Sequence, residues 1–242
     1  MVSKSIREQD ASILAHRATQ VQKGGARAAV LGVNDGLVSV LCLVLGVAGA
    51  GADQNAVLIA GFASVVAGAF SMAAGEWISV KAQVDLFEGM LSDLRGMIRR
   101  DKELLQETLT EHYIGDGYSQ KSAKAVVDDI STDTKAFYQA YAEQVVGVNP
   151  NELGSPWVAA ISSFVLFVAG SLAPLSPWFF THGTLAIALS IALTGLGGLI
   201  TGAYVAYSSG KSLAYGALRQ FLIVVFASAV TYGIGRAFGM VL

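Results

Sequence analysis

The sequence predicts an all-α polytopic membrane protein: five transmembrane helices, with a small cytosolic three-helix domain between spans two and three. Three observations carry this. Of 242 residues, 53% are hydrophobic and only 14% charged, against roughly 25% charged in an ordinary soluble domain. Five stretches, 28–51, 55–80, 156–181, 183–207 and 213–241, are almost free of charge, and each exceeds the roughly 20 residues that a membrane span needs. The charge is instead concentrated in 81–155, which holds 8 of the 16 Lys and Arg and 13 of the 18 Asp and Glu. A mean hydropathy of +0.54 argues against both disorder and a soluble enzyme. With a net charge of -2 there is no basic field to recruit nucleic acid. The partner this composition requires is the lipid bilayer. Cys42 is the single cysteine, which excludes an intramolecular disulfide and a cysteine-based zinc site.

The elements follow in order. Residues 1–27 are polar, and the apolar run from Ala28 is too long for a signal-peptide core of roughly 7–15 residues. Within this segment Ile6, Ile13, Leu14 and Val21 alternate with Lys4, Arg7, Arg17 and Lys23, the composition of an amphipathic helix on the membrane surface or of a solvated leader. Residues 28–80 form spans one and two. Residues 81–155 form the polar domain, and 156–242 form spans three to five. Small residues four apart, Gly32 with Gly36 and Gly198 with Gly202, predict close helix packing in lipid. Pro174 and Pro177 end or kink span three.

Basic residues set the orientation. Five precede span one (Lys4, Arg7, Arg17, Lys23, Arg27), the 51–54 turn has none, 81–155 has eight, the turn at Thr181–Gly183 has none, and Lys211 lies in the 208–212 turn. Basic and non-basic loops alternate, so the N-terminus and the polar domain are cytosolic and the C-terminus is outside.

Within the polar domain, Val84, Phe87, Leu91, Leu94 and Ile98 are spaced 3, 4, 3, 4, with Leu105 and Leu109 continuing the stripe. This predicts one helix over 81–115, continuous with span two, whose apolar stripe is available to a partner helix. Gly115, Asp116 and Gly117 end it. Ser119 caps a second helix to Ile130. Thr132 caps a third to Val146, carrying Phe137 and Tyr141, and Asn149-Pro150 closes the domain.

The candidate chemistry lies in the spans. A carboxylate deep in a span costs roughly 2.5–3.5 kcal/mol, so it is a functional candidate by default. Asp35 lies about 12 Å in from Arg27, and Met72 about 13 Å in from Lys81, at 1.5 Å per residue. Straight helices place the two at similar depth, with Glu76 one turn nearer the cytosol and Asn34 able to add an oxygen. Carboxylate, thioether and second carboxylate form a descending path for a divalent cation, the thioether favouring softer transition metals. Each donor also has a structural reading: Met72 as packing, Glu76 as an interfacial carboxylate reaching water, Asp35 as the cap of a broken helix. No Ser/His/Asp set, phosphate loop or histidine cluster appears in the sequence, so neither an enzyme nor a resident cofactor is expected.

Three segments match a known pattern: Gly32-Val33-Asn34-Asp35-Gly36-Leu37-Val38-Ser39, then Ser71-Met72-Ala73-Ala74-Gly75-Glu76-Trp77-Ile78-Ser79-Val80, then Asn149-Pro150 before Ser163-Phe164 and Gly170 to Pro174. From about Arg27 to Gly239 the chain resembles the vacuolar iron transporter family. The resemblance implies a homodimer that moves ferrous iron, often with manganese, out of the cytosol by proton antiport. It also implies a pathway at the dimer interface lined by spans one and two, with Asp35 and Met72 at pathway positions and Glu76 closing the second motif. The membrane is then vacuolar or plasma (inner), according to the organism. The likeness weakens in 81–150. Metal-binding members carry repeated glutamates on the long helix and methionines on the third. This chain has Asp93-Leu94-Arg95-Gly96-Met97-Ile98-Arg99-Arg100 and no methionine in Phe137–Glu143. Glu103, Glu107 and Glu111 do recur at i, i+4, i+8, as a secondary metal candidate or as a solvated face. The alternative to transport is a membrane-embedded binding or regulatory protein of the same fold that no longer moves metal.

Overall fold

In the computed structural model, which describes residues 25–241, every regular element is helical. Five helices are long and apolar enough to cross a membrane. They are α1 (Gly25–Gly49), α2 (Gln54–Arg100), α6 (Pro156–Leu175), α8 (Gly183–Ser208) and α9 (Leu213–Gly239). The N-terminal amphipathic segment proposed for 3–23 lies outside the described residues. The chain divides into two units: one comprises Ser79–Ser155, the other holds the five apolar segments.

The apolar unit is built on glycine contacts. A Cβ at Gly32, Gly36 or Gly170 would lie under 3.0 Å from a backbone oxygen of the facing helix: Ser163, Phe167 and Val33 respectively. Helices α1 and α6 therefore touch backbone to backbone. Gly202 and Gly216 do the same for α8 and α9, and Gly235 does so against Gly46 for α9 and α1. Lipid supplies no hydrophobic force between helices, so this close approach supplies the dispersion contact that holds them. Helix α2 joins differently, through side chains: Val57, Val65 and Ala69 pack with Val40, Val44 and Phe167. Pro174 sits in the last turn of α6, and Pro177 opens the short α7 (Pro177–Phe180). The Ser190 hydroxyl accepts from Trp178 Nε1 (3.1 Å) and donates to the Pro174 carbonyl (2.7 Å), satisfying polar groups at that break.

The second unit differs from the sequence reading in three places. The helix expected over 81–115 is interrupted: α2 ends at Arg100, and Asp101, at φ -150°, caps α3 (Lys102–Gly115) by accepting from the Leu104 amide (3.2 Å). A well-placed carboxylate cap competes with helix continuation. Ser119 caps α4 (Gln120–Ile130) as expected. The third helix is capped by Asp133, not Thr132, whose hydroxyl instead donates to the Asp129 carbonyl. α5 spans Thr134–Tyr141 and loosens into a π turn over Ala142–Val146. Most consequentially, the apolar stripe is not free for a partner. Leu91, Leu94, Ile98, Leu105 and Leu109 are buried against Val127, Phe137 and Tyr141, so α2 supplies one wall of the unit's own core.

Candidate functional site

Helix α1 runs unbroken through Asn34-Asp35-Gly36, which removes the broken-helix reading of Asp35. Gly32, Gly36 and Val40 face inward, and Asp35 lies on the exposed side. Its carboxylate makes no hydrogen bond or ion pair among the described residues; its backbone carbonyl accepts from the Ser39 hydroxyl (2.5 Å). Asn34 points elsewhere. Its side-chain oxygen accepts from Nε2 of Gln220, a buried amide on α9. The oxygen expected to serve a cation beside Asp35 thus also holds an interhelical hydrogen bond.

Glu76 does not reach out to water. It is buried, and both carboxylate oxygens accept from Nη2 of Arg27, at 3.2 and 3.4 Å. The pair is lopsided, with side-chain exposures of 65% for Arg27 and 7% for Glu76. It ties the start of α1 to α2, and farther along the two helices the Val44 side chain lies beside Gly61. Glu76 is one turn nearer that end of α2 than Met72, about 6 Å at 1.5 Å per residue. Met72 is half-buried and packs against the Val40, Val44 and Phe167 cluster.

The VIT family model matches residues 26–236, nearly the whole chain. The chain belongs to the VIT family. Similar proteins include vacuolar iron transporter homolog 1 of Oryza sativa subsp. japonica, 34% identical over 88% of this chain and 74% of the relative. The vacuolar iron transporter of Acanthamoeba castellanii is 32% identical over 91% of this chain and 81% of its own length. Vacuolar iron transporter 1 of Tulipa gesneriana is 27% identical over 87% and 86%.

In this VIT-family chain, no group of three His, Cys, Asp or Glu side chains is gathered for a metal among the described residues. Glu103, Glu107 and Glu111 all lie on the exposed side of α3, without ion pairs among the described residues. Two further residues take part. The sequence marks Arg27 only as a topology charge, although an arginine at the span edge is within reach of a carboxylate on the neighbouring helix. The signal for Gln220 is that a lone amide inside an apolar span needs a partner.

Proposed function

We propose that the protein moves divalent transition-metal cations, ferrous iron and also manganese, out of the cytosol by proton antiport. The observation that carries this reading is Asp35. An anionic carboxylate on the outer side of an apolar span, without a partner among the described residues, costs roughly 2.5–3.5 kcal/mol in lipid. A function that needs the charge explains why it is kept. A homodimer covers it: a two-fold interface along α1 and α2 would bring two Asp35 carboxylates toward one axis, and a divalent cation or protons would neutralise them. The names of the relatives point to iron as the cargo and the vacuole as a setting; in an organism without a vacuole the setting is the inner membrane.

The roles differ by chemistry. Asp35 supplies the charge that makes a dehydrated cation tolerable and carries a proton when the metal leaves. Met72 is a soft neutral ligand, and tunes selectivity. Glu76 stands at the cytosolic entrance, where an arriving cation competes with the Arg27 guanidinium for the same oxygens. The alternation of basic loops makes the N-terminus and the 79–155 unit cytosolic. The scarcity of glutamates on the long helix supports reading that unit's helices as a folded support rather than a metal store.

The test is uptake by the purified protein in liposomes with a pH dye inside. Saturable ferrous-iron entry with proton efflux is expected, and manganese should compete. Metal binding without flux would overturn transport and identify a binding protein of this fold.

A further inference from the structure

The unit of residues 79–155 contains a cleft of about 720 Å³ that the transport reading does not use. This is within the roughly 300–1,000 Å³ of small-molecule sites. Its charged lining is Arg95 and Arg99 from α2 and Asp133 and Lys135 from the start of α5, together with Tyr138 and Asn151. Neither the arginines nor the lysine enters an ion pair among the described residues. The lining has one carboxylate, Asp133, whose Oδ1 accepts from the Lys135 amide at 2.8 Å, so three cations against one anion leave the lining positive.

Each guanidinium makes one contact within the unit. Arg95 lies over the Tyr138 ring, 4.9 Å from its centroid, and Arg99 Nε donates to the Arg95 carbonyl at 3.3 Å. Each keeps its terminal N–H groups for a ligand. The Tyr138 hydroxyl is buried without a hydrogen-bond partner, which is costly unless something else meets it. Two fixed forks, an ammonium and a phenol are a set rich in donors and positive in charge. It repels metal cations and suits a compact dianion with several acceptor oxygens.

We propose that this cleft binds a phosphate monoester dianion, on a soluble metabolite or on a lipid headgroup. The proposal does not depend on the transport reading.

The test uses the full-length protein in phosphatidylcholine nanodiscs. Calorimetry with glycerol 3-phosphate probes the soluble source, and the thermal shift caused by adding phosphatidic acid to the discs probes the lipid source. The expected result is saturable binding or a shift in at least one arm. It should be weakened about tenfold or more by Arg95→Gln with Arg99→Gln, since charge-assisted bidentate contacts dominate such sites. Lys121→Gln with Lys124→Gln removes the same net charge from α4, away from the cleft, and should change neither arm. Lys135→Gln gives an independent reading if the arginine pair impairs folding, which the melting curve reports. Absence of response in both arms, or an equal loss in the α4 control, would overturn the proposal.

Discussion

Breaking the Arg27–Glu76 pair from either side should cost different amounts, because the partners are so unequally exposed. Arg27→Gln leaves a carboxylate that is only 7% exposed without its counter-ion. Fully buried pairs broken this way lose about 3–5 kcal/mol, while exposed pairs are worth about 0–1 kcal/mol. With Arg27 itself 65% exposed, a loss of about 1–2 kcal/mol is expected, between these limits. Glu76→Gln instead leaves the guanidinium, already mostly in water, and should cost under about 1 kcal/mol. The double variant Arg27→Gln/Glu76→Gln should be more stable than Arg27→Gln alone, since the unpaired buried charge is gone. The assay is a double-mutant cycle on reversible unfolding in detergent. If Glu76→Gln proved the more damaging single change, or if the two effects simply added, the pair would not be the contact described here.

Four further outcomes are expected. Gly36→Ala should destabilise by about 1–2 kcal/mol, because overpacking against the Phe167 carbonyl exceeds the helix-propensity gain of about 1 kcal/mol; Gly233→Ala, with nothing within 4 Å of its Cβ, should be neutral or stabilising in the same melting assay. A tag before Met1 should be reachable only from the cytosolic side and one after Leu242 only from the other, as protease protection will report; both termini on one side would end the orientation argued from basic loops. Replacing Glu103, Glu107 and Glu111 together by Gln should leave transport within about threefold of the unmodified protein, because a solvated face contributes little; a loss beyond tenfold in a folded variant would mark a working metal site. Under the antiport reading, removing the pH gradient should slow iron entry, measured as the initial rate; an unchanged rate would count against proton exchange.

The spans were legible because lipid imposes a length and an apolar composition that no soluble helix needs all round. The glycines at 32 and 36 announced tight packing, and the contacts with Ser163 and Phe167 show which helix they serve. Breaks and partners were harder to read. Asp101 looks like one more surface acid, yet its side chain ends a helix that the 3, 4 spacing carries forward. The same spacing could not say whether Leu91 and Ile98 face another chain or their own core, because both demands write the same pattern. Depth along straight helices places Asp35 near Met72 but gives no sign of the Arg27–Glu76 ion pair, which joins two helices at the span edge. Pairings such as Asn34 with Gln220 join residues far apart in the chain and leave no periodic trace.

The central claim rests on the Asp35 charge, so the most direct measurement is iron uptake by Asp35→Asn in proteoliposomes, with insertion and dimerisation checked on the same sample. Asparagine keeps the shape and removes the charge and the titrating proton. Uptake and its accompanying proton efflux should fall to background. Iron entry at near the unmodified rate, by a correctly inserted dimer, would contradict the assignment of Asp35 to the pathway.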